Sequence, residues 1–386
     1  MRVESSEQIG SGHLTRCLAL AEELRAQGAN VDFASRALPG NMLALVERAG
    51  FRVLLVPDFP CDPDPSCNND ATNNDATACM AGVDAMGAKP DWLVIDHYGI
   101  GGAWEAHMRP HVSRIAVIDD LADREHECDL LIDANFHANS ANRYGDKLPA
   151  HCVQLLGPRY ALLRAEFAQE RARLRDRTGS VRHIQVKRIL VFFGGVDLSN
   201  QTLTALHAIA SLDRGEIATD VVVGATNPHR DRVQQFCAAH DGFELHCQTA
   251  EMAKLMGQAD LAIGAGGTTM WERCAMGLPS LVITVAGNQV PSTAAMADQG
   301  LLRYLGSHTA VSQSMIAHAL LGLLEDRVEA MRISARSAEL VDGLGAWRVA
   351  RCMAGEMDGE PADCGSSAGE SGITPAASSN ALTQMH

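Results

Sequence analysis

The chain of 386 residues has no apolar run near the roughly 18 residues that a membrane span requires. With 46% hydrophobic and 20% charged residues it is too polar for a membrane protein and too long for one compact domain. Positive charge is scarce: 32 Lys and Arg stand against 47 Asp and Glu, a formal net charge of -15. That argues against nucleic acid or anionic lipid as a partner, since either needs a broad basic surface, and leaves room only for a local basic pocket. The eleven cysteines form no CxxC pair and no zinc-ligand spacing, and no charged start followed by an apolar run marks a signal peptide. A reducing cytoplasm is the expected setting. The absence of GxxxxGK[ST] disfavours a P-loop nucleotidase.

Most of the excess negative charge lies in two segments. Residues 58–91 hold seven acids and one base, and residues 353–386 five acids and no base, so the rest of the chain carries about -4. Segment 58–91 contains DPDP and a tandem NNDAT, too poor in apolar residues to build a core, and is expected to be a flexible insertion. Segment 353–386 is rich in Gly, Ser and Ala without periodicity, the composition of a disordered tail. Asp62 and Asp64 form a DxD spacing that could hold a divalent metal on a nucleotide sugar, but within DPDP chance explains it better. His126-Glu127-Cys128 lacks companions at ligand spacing. No metal and no cofactor are expected.

Elsewhere, short aliphatic or β-branched runs alternate with helical patterns, which predicts an α/β fold with parallel sheets. The first half offers strands at 31–35, 51–56, 92–96, 114–119, 129–133 and 152–155. The second offers 188–193, 220–223, 243–246, 261–263 and 280–284, followed by helices to about residue 355. The charged helical stretch 162–177 marks the expected boundary between an N-terminal Rossmann-like domain, residues 1–177, and a C-terminal nucleotide-binding one, residues 178–352. Two such domains face a central cleft, and ligands bind beyond the carboxyl ends of the strands.

Glycine loops open onto those ends. Gly10-Ser11-Gly12-His13 begins a helix in which Leu14, Cys17, Leu18, Ala21 and Leu24 form an apolar stripe, and its free backbone N–H groups suit an anion. Any strand-to-helix turn also wants a glycine. A dinucleotide fingerprint is disfavoured, because no third glycine follows and Asp32 begins its strand where the ribose-binding acid should end one. Phe193-Gly194-Gly195 follows the first strand of the second half. Gly264-Ala265-Gly266-Gly267-Thr268-Thr269 supplies N–H and O–H donors ahead of a helix, a diphosphate site by chemistry. Glu272, one turn on, either favours the helix dipole or accepts hydrogen bonds from a ribose. His13, at the mouth of the first helix, is the candidate general base, against the plainer reading as a cap or surface residue. Arg16 contacts phosphate or sugar, or is a helix-surface arginine. His97 and His151 compete with His13, but neither borders a loop shaped for anions.

The strings IGSGHLTRCLALAEEL, DWLVIDHYGIGGAWE, IAVIDDLADREHECDLLIDAN, LLGPRYALLRAEF, FFGGVD and DLAIGAGGTTMWERCAMGLPSLVITVAGNQ, in this order, resemble the UDP-2,4-diacetamido-2,4,6-trideoxy-β-L-altropyranose hydrolases of pseudaminic acid biosynthesis, a route used in flagellin glycosylation. The resemblance runs from about residue 2 to 351 and skips the NNDAT segment. It implies a GT-B fold, similar to the transferase that adds N-acetylglucosamine to the lipid-linked peptidoglycan precursor, with water in place of the acceptor. It places the family's catalytic histidine on His13, its tyrosine on Tyr98, its asparagine on Asn288 and its nucleotide-binding glutamate on Glu272. Uracil would be read by backbone near residues 249–252. The implied partner is a UDP-sugar bound by a monomer, and the reaction is metal-independent hydrolysis at C1 with inversion.

Two departures stand out. Family members begin with an apolar strand leading into an FRxDxS-like segment, whereas here Met1-Arg2-Val3-Glu4-Ser5-Ser6 opens the chain. Either the start is assigned late or the first strand is stunted, the latter losing about 1.5–3 kcal/mol per large side chain no longer buried. Glu4, where aspartate is common, is expected to weaken a hydrogen bond near the glycine loop. Two other readings use the same residues. One is a GT-B transferase acting on a related UDP-amino sugar, disfavoured by the lack of a basic amphipathic membrane-docking segment; the other is a non-catalytic nucleotide-sugar binding protein.

Overall fold

A computed structural model describes residues 1–57, 68–85, 87–137, 140–178 and 185–356. The DxD pair and residues 357–386 of the expected tail lie outside them. Strands β1 (Arg2–Val3), β2 (Asp32–Ser35), β3 (Arg52–Leu55), β4 (Trp92–Asp96), β5 (Arg114–Ile118), β6 (Leu130–Asp133) and β7 (Val153–Leu156) form one sheet, in the order β3-β2-β1-β4-β5-β6-β7. A second sheet takes β8 (Arg188–Phe192), β9 (Ala218–Val223), β10 (Phe243–Cys247), β11 (Leu261–Ala265), β12 (Ser280–Thr284) and β13 (Arg303–Ser307), in the order β10-β9-β8-β11-β12-β13. All neighbours in both sheets run parallel. The helices of the first half are α1 (Gly12–Ala26), α2 (Leu43–Arg48), α3 (Asn68–Asp84), α4 (Gly102–Met108) and α5 (Ala165–Thr178). Those of the second are α6 (Gln201–Ala210), α7 (Arg230–Ala239), α8 (Met252–Gln258), α9 (Thr269–Ala275), α10 (Val290–Asp298), α11 (Gln313–Glu325), α12 (Arg327–Leu340) and α13 (Gly345–Met353).

Parallel strands must be covered on both faces, so they carry near-continuous apolar runs. LLID in β6 and SLVIT in β12 are buried throughout. One face of the first sheet packs Leu14, Cys17 and Leu20 of α1 against Val3, Phe33 and Val94. The other packs Ile95, Ile115 and Leu131 against Trp104 and Met108 of α4. In each sheet the chain order reverses at the strand that comes first in sequence: β1 lies between β2 and β4, and β8 between β9 and β11. The glycine loops that follow β1 and β8 therefore open at the switch points, where crevices form in open α/β sheets.

Four features differ from the expectations. First, residues 68–84 of the presumed flexible insertion are helix α3. Its Ala76 and Cys79 are buried against α4, and the Asp75 carboxylate accepts hydrogen bonds from Arg2 Nη2 at 2.7 Å and Trp104 Nε1 at 3.0 Å. Second, packing does not divide at residue 177. Phe167 and Leu174 of α5 join the core of the second sheet, and Arg171 donates to the carbonyls of Ala275, Ala338 and Val341. In the opposite direction α13 returns to the first domain, where Ala346, Val349, Ala350 and Met353 pack with α1 and Trp92 Nε1 donates to the Met353 carbonyl at 2.9 Å.

Third, β13 is a strand that the sequence does not announce; RYLGS is only half-buried along its length and its pairing with β12 carries a bulge. Fourth, β1 is only two residues long, yet Glu4 just after it is densely held. Its buried carboxylate meets Arg2 Nη2 at 2.5 Å, Arg36 Nη2 at 2.8 Å and His97 Nε2 at 3.1 Å. Burial alone would raise the pKa of this carboxyl, but His97 and the two guanidinium groups hold it well below the ordinary carboxylate range.

Candidate active site

His13 lies in the first turn of α1 and is buried, 8% exposed. Its Nδ1 sits 2.6 Å from Oδ1 of Asp96, the last residue of β4, and 3.2 Å from Arg16 Nη2. A carboxylate can only accept and a guanidinium can only donate. The shorter contact decides the tautomer: Nδ1–H donates to Asp96, and Nε2 carries the free lone pair. Asp96 in turn receives Arg16 Nε at 2.6 Å and Arg16 Nη2 at 2.7 Å. Burial would raise the Asp96 pKa, but Arg16 and His13 outweigh it and hold the group well below the usual carboxylate range. The acid is ionised under His13 at any ordinary pH.

The Arg16 side chain is 11% exposed, and its remaining terminal nitrogen, Nη1, reaches Asp120 at 2.9 Å. Its guanidinium is thus taken up by the two acids, with Nη2 lying against the imidazole, so it stands behind the histidine. Tyr98, in the loop after β4, donates its hydroxyl to Asp120 Oδ2 at 3.0 Å and sets its ring edge-on to His13, with centroids 4.5 Å apart. Burial and the neighbouring Asp120 push its phenol well above the ordinary value, so it stays protonated. Asn135 Nδ2 completes the shell of Asp120 at 3.0 Å.

Asn288 reaches the same hydroxyl from the second domain. It sits in the short turn Gly287–Gln289, and its Nδ2 donates to Tyr98 Oη at 2.9 Å. His13, Tyr98 and Asn288 therefore meet across the cleft. The glycine loops converge there too: a Cβ on Gly12 would lie 3.1 Å from Thr268 Oγ1, and one on Gly195 would lie 3.8 Å from Ser11 Oγ. Gly194 takes φ +96°, a conformation that favours glycine. Gly266 admits no side chain, since a Cβ would come within 2.4 Å of Thr293 Oγ1, and Gly267 and Thr268 follow it into α9. Glu272 is buried on that helix, and among the described residues no hydrogen-bond donor reaches its carboxyl; burial pushes its pKa up to about 7.

The competing histidines fall elsewhere. His97 is tied to Glu4 and accepts the Gly99 N–H at 3.0 Å, and His151 stands exposed beside Asp129 before β7. Three functional candidates escaped sequence reading: Asp96, Asp120 and Asn135. A signal was available, because the runs ending β4, β5 and β6 all close on aspartate, at Asp96, Asp119 with Asp120, and Asp133, at the strand ends where ligands bind. Asp220, Glu244 and His246 offer ligand atoms within 4.8 Å of one another, outside the cleft. Arg188 and His246 already occupy Asp220, at 2.8 and 2.9 Å.

The architecture places the chain among known folds. It covers 90% of its length on the Acinetobacter baumannii MurG structure, with a TM-score of 0.62 and 14% identity over 97% of that chain. The Neisseria meningitidis UDP-GlcNAc 2-epimerase bound to UDP-GlcNAc gives 0.60 with 12% identity, covering 88% of this chain and 98% of that one. The calicheamicin glycosyltransferase CalG4 gives 0.58 with 16%, covering 90% and 96%. The fold is GT-B.

In sequence, the chain is 25% identical over 300 residues to the UDP-2,4-diacetamido-2,4,6-trideoxy-β-L-altropyranose hydrolase of Campylobacter jejuni, spanning 78% of this chain and 96% of that protein. It is 26% identical over 284 residues to an uncharacterised Methanocaldococcus jannaschii protein, 72% of this chain and 54% of the other. With the Bacillus subtilis spore coat polysaccharide biosynthesis protein SpsG it shares 29% over 196 residues, 50% of this chain and 56% of that one. The matches thus span only about half the length of the last two relatives. No protein-family model matches. Among the described residues no helix is long and apolar enough to cross a membrane.

Proposed function

We propose that the protein hydrolyses UDP-2,4-diacetamido-2,4,6-trideoxy-β-L-altropyranose or a close UDP-diacetamido relative at C1, giving UDP and the free sugar for pseudaminic acid synthesis. One observation carries the reading: His13, its Nδ1 fixed by an ionised Asp96, faces Tyr98 and Asn288 where three glycine loops meet. The Campylobacter jejuni hydrolase, matched over nearly its whole length, supports the same substrate class.

In this mechanism Nε2 of His13 takes a proton from water as the water oxygen bonds to C1. The bond from C1 to the diphosphate oxygen breaks, UDP departs with the electron pair, and the configuration inverts. Asp96 steadies the imidazolium that forms, as the buried aspartate does in hydrolase triads. The leaving diphosphate spreads its charge over several oxygens, so donors around it suffice without a general acid. Gly12, Gly194, Gly266, Gly267 and Thr268 supply those donors. Arg16 keeps Asp96 ionised and ties it to Asp120, while Tyr98 and Asn288 orient the sugar or the water. Glu272 accepts the ribose hydroxyls. The reading assigns no cofactor, metal, membrane or nucleic-acid partner, and a monomer working in the cytoplasm.

The test follows UDP and sugar by NMR over a panel of UDP-diacetamido sugars, with and without candidate acceptors and with EDTA. Expected is acceptor-independent, EDTA-insensitive release, and a His13→Ala enzyme slower by about 10²–10⁴-fold. UDP release that requires an acceptor would instead identify a transferase, and binding without turnover a nucleotide-sugar binding protein.

A further inference from the structure

Cys128 and Cys152 lie just before β6 and β7, the last two strands of the first sheet, and their sulfurs are 3.5 Å apart. Cys128 is fully buried among Leu131, Tyr144 and Met108, whereas Cys152 is half-exposed. The backbone fixes their separation. Leu130 pairs with Val153, and Val153 N donates to the Asp129 carbonyl at 2.9 Å. One strand spacing and one residue of offset put the two Cα atoms about 6 Å apart, within the range that a disulfide spans. Among the described residues no other two cysteine sulfurs make such a contact.

We infer that Cys128 and Cys152 are a reversible disulfide site that staples the edge strand β7 to β6, with a small-molecule disulfide such as glutathione disulfide as oxidant. The half-exposed Cys152 reacts first. Its thiolate attacks one sulfur of the oxidant, forming a mixed disulfide and expelling one thiolate. Cys128, deprotonated as it attacks, displaces the second thiolate from Cys152 and closes the bond. Two protein thiols are oxidised, and one disulfide is reduced to two thiols. Exposure sets the order of attack, since the oxidant reaches the half-exposed Cys152 before the fully buried Cys128. Asp129 and Glu105 oppose both thiolates, which makes this a slow exchange site instead of a fast peroxide sensor. The pair precedes its strands, while His13 and Asp96 sit at the opposite, carboxyl ends, so the staple leaves the site untouched.

The experiment incubates the full chain, native, with glutathione disulfide and maps the cysteines by proteolysis and mass spectrometry, with the exposed Cys247 as an internal marker of reagent access. Expected is a linked Cys128–Cys152 peptide that dithiothreitol reverses. In Cys128→Ser, Cys152 should instead retain glutathione. Amide exchange over residues 153–156 should slow by on the order of tenfold in the oxidised protein, with UDP affinity unchanged. Modification of Cys247 while Cys128 and Cys152 stay free would overturn the inference. So would pairing of Cys152 with another cysteine, or a linked peptide that forms only after unfolding.

Discussion

At the scale of single residues, Asp96 bears most on the chemistry. It is buried, accepts from His13 Nδ1 and takes two nitrogens of Arg16. Asn at this position keeps the size but can present an N–H to Nδ1, which favours the tautomer with Nε2 protonated and removes the base. Asp96→Asn is therefore expected to lower kcat by on the order of 10³–10⁴-fold, as in the serine hydrolase triad. UDP affinity, measured by calorimetry on the same preparation, should change little, which separates a lost base from a lost fold. An enzyme with near-normal kcat would remove the dyad from the mechanism.

Glu272 gives a pH signature. Burial pushes its carboxyl up to about 7 from the ordinary glutamate value of 4.5. Between those values the folded state holds a proton that the unfolded state has lost, so in the free protein this group's contribution falls as pH rises through that window, by on the order of 3 kcal/mol in all. A carboxylate that accepts ribose hydroxyls must be ionised. UDP is therefore expected to bind more tightly as pH rises from 6 to 8, and the dependence should flatten in Glu272→Gln to that of the nucleotide's own phosphate. Calorimetric titrations at several pH values check it; equal slopes in the two proteins would take Glu272 out of the nucleotide site.

Secondary-structure elements show what the sequence made legible. Strands such as WLVID, RIAVI and SLVIT stood out because a parallel sheet covered on both faces needs unbroken apolar runs. RYLGS did not, being half-buried at an edge with Gly306 in it. Helix α3 hid for a different reason: Asn, Asp and Thr are weak helix formers, and NNDATNNDAT is held from outside, by Ala76 and Cys79 against α4 and by Asp75 on Arg2 and Trp104. Likewise no local signal says that α13 crosses back, since Met353 meets Trp92 261 residues away.

The helix makes a measurable claim. Arg2 is 1% exposed and leans on Glu4 and Asp75, and stripping one partner from a buried pair costs about 3–5 kcal/mol. Asp75→Ala should come near the lower end, about 3 kcal/mol, because Glu4 remains. Urea unfolding should show an earlier midpoint for the variant. A flexible insertion would instead give a change within about 0.5 kcal/mol, as surface substitutions usually do.

The whole molecule matters because its site is divided between two domains. His13, Asp96 and Tyr98 belong to the first, and Asn288 to the second, 190 residues beyond the tyrosine it touches. His13 stood out beside its glycine loop, whereas Tyr98 and Asn288 came only through resemblance; nothing local marks Asn288 as more than a turn residue, because its partner comes from the other domain. The nucleotide-side candidates, Gly266, Gly267, Thr268 and Glu272, lie on the second domain alone. UDP binding and turnover should therefore respond differently to loss of the bridge. Asn288→Ala removes the hydrogen bond to Tyr98 but leaves the glycine loop and Glu272 intact, so UDP affinity should stay within about twofold. The reacting groups then lose a group that holds them in register, and a misplacement of this kind can lower turnover by about 10²-fold. Steady-state kinetics should thus show a kcat reduced by roughly 10–10²-fold, with calorimetry for UDP nearly unchanged. A parallel loss of UDP affinity would move Asn288 into the nucleotide site, and an unchanged kcat would mean that the bridge contributes nothing to turnover.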